Sequence, residues 1–350
     1  MSRRTLSALV AVVIALFGAA RLSADLVWTP GQGWRIEGGA LAGLSGEEGR
    51  NALEMMNTAR NAEEKGSTRS AIKTYEKVAK KFPNSIYAGE ALYRSGLLYE
   101  KRKQYFKAFD SFQEMVMKYP SSQKFSQVIA EQYRIAQLLL DGARSYMWGV
   151  IPGFKNREKS VEYFEHIVHN APYSDYAPLS LMNIARAHQK MGNTEEAIDA
   201  LDRMINNYPK NVLTPDAYLK LAQTHSSLVD GAYYDQASTK EAITYYEDYL
   251  IQFPGDSGAG TAEKGLGEMK TMLAQSKMIL ADYYFKYRKN YTAAKVFYNE
   301  AITTYPDSPV AARARKMLVE VDSRLAGNKA QDVKDDQPAA PKKKKRFWLF

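Results

Sequence analysis

The sequence predicts an all-α protein: a right-handed solenoid of about six helix pairs closed by a C-terminal capping helix. Three observations predict it. From about residue 50 to 325 apolar residues recur at i, i+3, i+4 and i+7, with no convincing strand. Aromatic–proline pairs close successive segments at Phe82-Pro83, Tyr119-Pro120, Tyr208-Pro209, Phe253-Pro254 and Tyr305-Pro306, and Ala171-Pro172 holds the same place. Within each segment small and large residues return at fixed positions.

The chain has 350 residues, and the first 24 read as a secretory signal peptide. Arg3 and Arg4 precede an uncharged apolar run over residues 6–20, and small residues follow, with cleavage after Ala20 or Ala24. That run is short of the ~20 residues a membrane-spanning helix needs. The remainder is then exported, to the periplasm in a bacterium. Residues 25–49 hold Trp28, Pro30 and Trp34 among many glycines and read as an extended lead-in.

Residues 50–326 form the repeat region. Proline lacks an amide donor and disfavours helix in the residue before it, so each aromatic–proline pair stops a helix. The six prolines stand 37, 52, 37, 45 and 52 residues apart, a unit of 37 with extensions. Asn84-Ser85, Ser121-Ser122, Ser174 and Asp307-Ser308 follow closely and are expected to cap the next helix. Each unit fits the helix–turn–helix pattern of a tetratricopeptide repeat. Unit two places Leu92, Gly96 and Tyr99 on its first helix and Ala108 and Phe112 on its second. Small residues at Gly96 and Ala108 are expected to let the paired helices touch, while Tyr99 and Phe112 fill the gap to the next helix. Unit three carries an apolar insert at residues 142–155 and unit five an insert at 231–238. The segment 310–325 reads as the cap. From Gly327 the chain turns polar and is expected to be disordered up to its end, Lys342, Lys343, Lys344, Lys345, Arg346, Phe347, Trp348, Leu349 and Phe350. Those cations and aromatics suit an anionic membrane surface or a partner protein.

Composition excludes several functions. With no cysteine there is no thiolate zinc site, no cysteine nucleophile and no cysteine-borne lipid. The formal net charge is +9, but without the two termini 40 basic residues face 39 acidic ones, too even for a nucleic-acid face. Gly255-Asp256-Ser257-Gly258 shares letters with a serine-protease nucleophile loop but follows a helix-stop proline and reads as a turn. His166 and His169 read as packed or solvated side chains. No enzyme, metal or cofactor is expected. A solenoid without a reaction centre works as a binding surface, lined by the first helix of each unit. Its inward positions are Met56, Arg60, Tyr93, Leu97, Tyr133 and Gln137, with Arg94 and Arg134 beside them. These suit an extended or hairpin peptide with a free carboxylate.

The punctuation Phe82-Pro83-Asn84-Ser85, Tyr119-Pro120-Ser121-Ser122 and Tyr305-Pro306-Asp307-Ser308 resembles that of BamD-type outer-membrane assembly factors. So do Ala91-Leu92-Tyr93-Arg94, Gln132-Tyr133-Arg134-Ile135-Ala136 and the inserts in units three and five, over roughly residues 50–325. The resemblance implies a non-enzymatic periplasmic scaffold at the inner face of the outer membrane. It also implies two partners, a BamA-like barrel insertase at units five and six and unfolded outer-membrane proteins at the N-terminal groove, where Tyr93, Arg94, Tyr133 and Arg134 match. Members of that family carry a lipidated cysteine just after the signal, whereas Ser23-Ala24-Asp25 stand there in this chain. The alternative is an envelope repeat adaptor of the Tol–Pal-associated YbgF/CpoB type. Its N-terminal coiled coil has no counterpart in the glycine-rich residues 25–49.

Overall fold

The computed structural model describes residues 25–30, 32–37, 47–234 and 236–335. The expected signal peptide and the basic–aromatic end at 342–350 lie outside the described residues. Two compact units divide the chain, Met1–Ala187 and His188–Phe350. Among the described residues no helix is long and apolar enough to cross a membrane.

The first unit opens on a β-hairpin, β1 (Asp25–Thr29) and β2 (Gly33–Glu37), paired antiparallel with Trp28 opposite Trp34. The described first part of the lead-in is therefore a hairpin and not merely extended chain. Helices α1 (Glu47–Glu64), α2 (Thr68–Lys81), α3 (Tyr87–Lys101), α4 (Tyr105–Lys118) and α5 (Phe125–Leu140) follow, each packed on the next. A second hairpin, β3 (Arg144–Met147) and β4 (Ile151–Lys155), leads into α6 (Arg157–Asn170). This second ribbon corrects the expectation of no strand between about residues 50 and 325. Helix α7 (Tyr176–Met191) crosses the boundary between the units. The second unit holds α8 (Thr194–Asn207), α9 (Thr214–Ser227), α10 (Ala237–Gln252), α11 (Ala259–Tyr283), α12 (Tyr291–Thr304) and α13 (Pro309–Asp335). The expected disorder from Gly327 does not begin there, since α13 runs to Asp335.

All six proline stops hold. Helices α2, α4, α6, α8, α10 and α12 end two residues before Pro83, Pro120, Pro172, Pro209, Pro254 and Pro306. The residue between leaves the helical region, with φ of −128° at Phe82, −130° at Tyr119 and −129° at Phe253. That is the restriction proline places on its predecessor. At Phe82, Tyr119 and Phe253 the backbone amide still donates to the carbonyl four residues back, so the last turn is complete. The serines beyond act differently from the expectation. Ser85, Ser174 and Ser308 donate their hydroxyls back to the carbonyls of Phe82, Ala171 and Tyr305 at 2.7–2.8 Å, closing the turn. Ser308 also accepts from the Ala311 amide and so caps α13.

The repeat core is built as the small–large pattern implies. Ala71, Ala108, Ala197, Ala242 and Ala294 are fully buried, as are Tyr75, Phe112, Leu201 and Tyr298. A buried tyrosine needs an acceptor for its hydroxyl. Tyr75 donates to Glu63 at 2.9 Å, and Tyr298 donates to Asp282 at 2.6 Å. The partner of Gly96 differs from the expectation: a Cβ there would stand 2.4 Å from the Phe112 ring, so the glycine is the seat of that ring.

Candidate peptide-binding groove

The expected groove residues sit on α1, α3 and α5 of the first unit, but the molecule has already used several of them. Met56 is fully buried between Ala52 and Ala59, in the core that joins α1 to α2 and the first hairpin, so it does not line a groove. Spacing explains the correction. Ala52, Met56 and Ala59 lie four and three apart, which is the buried stripe of a helix, and Met55 is the half-buried neighbour.

The first hairpin lies against this face. Trp34 is 4% exposed, and its backbone amide donates to Asn57 Oδ1 at 2.8 Å. The Arg60 guanidinium lies 4.2 Å from the centre of the Trp28 ring, and that of Arg94 lies 5.2 Å from the Trp34 ring. Both contacts are in cation–π range. Sequence reasoning missed this occupant, although a Pro-Gly turn between alternating apolar residues (Leu26 and Trp28, then Trp34 and Ile36) is a hairpin signal.

Nor are the arginines waiting for a carboxylate. Arg60 pairs with Glu63 at 2.8 Å, and Arg94 pairs with Glu90 at 2.8 Å. Arg134 pairs with Glu131 at 2.6 Å and with Glu100. Burial pushes the Glu100 carboxyl up to about 7, against the pull of Arg134 and with a further push from Glu131.

The other expected residues are Tyr93, Leu97, Tyr133 and Gln137. Tyr93 is half-buried on Phe112, with the Lys124 ammonium 4.8 Å from its ring centre. Tyr133 is half-buried against Phe164 and Tyr176, and its hydroxyl accepts from Asn183 Nδ2 at 2.8 Å. Burial raises the hydroxyl pKa of both. Leu97 is half-buried on α3, and Gln137 is exposed on α5. A cavity of about 280 Å³ opens where Leu26 of the hairpin meets Gly89, Glu90 and Lys124. None of Tyr93, Leu97, Tyr133 and Gln137 lines that cavity; Lys124, which does, has its ammonium over the Tyr93 ring.

Elsewhere the minor signals resolve simply. Asp256 Oδ1 accepts from the Gly258 amide at 2.9 Å and from the Tyr249 hydroxyl, so the Gly-Asp-Ser-Gly letters are a turn. His166 lies 3.8 Å from Glu162, one turn before it on α6, a pairing that the sequence reading passed over. His225 stacks on Tyr245 with ring centres 5.3 Å apart, and burial lowers its pKa. Among the described residues no group of three or more acidic or histidine side chains is placed to hold a metal ion.

Comparison with known proteins gives the fold a family. Residues 55–85 and 90–122 match the tetratricopeptide-repeat model, and repeats of this kind mediate protein–protein interaction. No curated protein matches the chain. Similar solved structures include MamA, at 17% identity over 56% of this chain and 94% of that one, with a TM-score of 0.30. Another is PilW, described as a type IV pilus biogenesis factor, at 17% identity over 77% and 99%, with a TM-score of 0.27. A tetratricopeptide-repeat protein from Parabacteroides merdae is 12% identical over 77% and 100%, with a TM-score of 0.31. Residues 154–337, more than half of the chain, match the family model described as outer membrane lipoprotein, YfiO, and the chain belongs to that family.

Proposed function

We propose that this chain is a non-enzymatic periplasmic scaffold of the BamD type, which helps assemble β-barrel proteins into the outer membrane. Its N-terminal repeats receive segments of unfolded outer-membrane proteins, and its fifth and sixth repeats hold a BamA-like barrel insertase. The observation that carries the reading is the seat of the first hairpin. A β-ribbon rich in aromatics already lies on α1 and α3, with Trp28 and Trp34 under Arg60 and Arg94. A surface that accepts such a ribbon from its own chain has the chemistry to accept one from a client. Membership in an outer membrane lipoprotein family supports the location. The basic–aromatic end at 342–350 adds a peripheral contact with lipid or with a partner.

The client surface in this reading is Tyr93 and Leu97 of α3 with Tyr133 and Gln137 of α5. Changing both Tyr93 and Tyr133 to alanine is expected to weaken binding of a barrel-derived C-terminal peptide about tenfold. Fluorescence anisotropy measures the affinity, and circular dichroism checks that helicity is unchanged. Equal affinity in a folded double variant would remove the client role from this face.

A further inference from the structure

The second hairpin gathers several large apolar side chains that are left in water. Trp148 is 67% exposed and Phe154 is 93% exposed, and Met147, Val150 and Ile151 are exposed beside them. Strand β4 is exposed on both faces. The tip is nevertheless firmly held. The Tyr146 amide donates to the Lys103 carbonyl at 2.7 Å, and the Phe106 amide donates to Ser145 Oγ at 3.3 Å. Arg102 donates through Nη2 to the Trp148 carbonyl. Trp148 and Gly149 both have positive φ, 53° and 75°, as the central residues of a type I′ hairpin turn do. A contiguous apolar surface of this kind marks an interaction site.

Charge identifies the partner. Residues 101–107 carry Lys101, Arg102, Lys103 and Lys107 with no carboxylate. Residues 142–157 carry Arg144, Lys155 and Arg157, again with none. Arg69 and Lys73 of α2 join Arg102, Lys107 and Trp148 in lining a cleft of about 620 Å³. A carboxylate of α2, Glu76, already accepts the Tyr99 hydroxyl at 2.6 Å. An apolar tip ringed by cations fits an anionic lipid surface: the aromatics enter the headgroup region and the cations meet the phosphates. Exposure on both faces of β4 favours immersion over a one-sided protein contact, because immersion covers both faces at once.

We infer that the β3–β4 hairpin is a membrane-contacting element that inserts Trp148, Val150 and Phe154 into an anionic bilayer surface while the Lys101–Lys107 and Lys155 cations bind its headgroups. The inference is independent of what the neighbouring groove binds.

The test uses the full chain, whose lack of cysteine makes an introduced one unique. Phe154→Cys is labelled with an environment-sensitive fluorophore, and Val319→Cys, at an exposed position of α13, serves as the control. Vesicles of phosphatidylcholine alone are compared with vesicles that also contain phosphatidylglycerol. The expected result is a blue shift and quenching by brominated acyl chains at position 154 only, with phosphatidylglycerol only, reversed by high salt. Changing Lys101, Lys103 and Lys155 together to glutamine is expected to weaken vesicle affinity by at least about tenfold. If vesicles sediment the protein while the probe at 154 stays in water, the attachment runs through another segment and the inference fails. It fails equally if the probe responds to soluble envelope proteins and not to lipid.

Discussion

The first unit has two β-hairpins, one ahead of its described helices and one among them, and each brings a tryptophan close to an arginine of the α3 region. Over the first hairpin, Arg94 lies on the face of Trp34, 5.2 Å from its ring centre, and the ring is 4% exposed. Under the second, Arg102 binds the backbone carbonyl of Trp148, and the ring is 67% exposed. The difference lies in which part of the tryptophan the guanidinium takes. An arginine spread over a ring helps to seal it from water, so the aromatic becomes core. An arginine that grips the backbone fixes the turn and leaves the ring free for a partner. The two ribbons share a secondary structure and have opposite uses of their apolar surface.

The largest test of that contrast is stability. Trp34→Ala removes a buried aromatic from the core that joins the first hairpin to α1 and α2, and is expected to cost about 3–5 kcal/mol. Trp148→Ala removes an exposed ring and is expected to change stability by less than about 0.5 kcal/mol. Trp34→Phe should fall well below the alanine cost, because the Trp34 indole N–H is buried without a hydrogen-bond partner among the described residues. Thermal melting of the three variants decides it. Equal losses at Trp34 and Trp148 would mean that both hairpins are simply core.

The same contrast shows what could be read from the sequence. Helix ends were legible because proline acts locally: Phe82-Pro83 and its five counterparts set the stops whatever packs around them. Core positions were legible where small and large residues repeat, as at Ala108 and Phe112. The hairpins were not, because their strands are only four or five residues long and lie in glycine-rich or insert segments between strong helical periods. The alternating Leu26 and Trp28, and the Trp148-Gly149 turn, were the available signals. The surroundings of the expected groove residues were not legible one by one. One step along α1 separates buried Met56 from half-buried Met55, and no local pattern shows that Arg60 and Arg94 are covered from a segment 20 or more residues away.

A second test concerns α3, which serves both hairpins. At its first turn Glu90 is nearly buried but has Arg94 at 2.8 Å and Lys124 at 3.6 Å. At its far end, just before the Lys101–Lys103 run, Glu100 is nearly buried with Arg134 as its cation and Glu131 close by. Burial holds its carboxyl at about 7, above its ordinary value of 4.5. The folded state therefore binds the proton more tightly than the unfolded state does. Stability contributed by this group falls as pH rises from about 4.5 to 7, and the penalty is complete above that. Glu100→Gln escapes it and is expected to be more stable than wild type at pH 8, by on the order of 2 kcal/mol, with the gain gone near pH 4.5. Arg134 is not left alone by the change, because Glu131 already pairs with it at 2.6 Å. Melting at the two pH values measures the effect, and a loss at pH 8 would show that the Arg134 pair outweighs the burial of Glu100.

The last expected effect bears most directly on why the second hairpin keeps its tryptophan. A left-handed backbone is costly for any residue with a Cβ, about 1–2 kcal/mol, and least so for asparagine or aspartate, whose short polar side chains bond locally. Trp148 sits at φ 53° with its ring in solvent, so the ring offers little packing to offset that cost. Trp148→Asn keeps the turn and fits its geometry better. It is expected to raise the stability of the lipid-free protein by about 1 kcal/mol, read as a higher thermal midpoint. The same variant should lose affinity for anionic vesicles. A substitution that strengthens the fold while weakening the contact would show that the tryptophan is held at a cost to stability for the sake of what lies outside the molecule. At Trp34 the opposite holds, since there the fold itself is the beneficiary and no polar replacement can improve it. If Trp148→Asn instead destabilises the protein, the ring is packed in the cleft beside Lys107 and Arg69, and the contrast between the two hairpins narrows to one of degree.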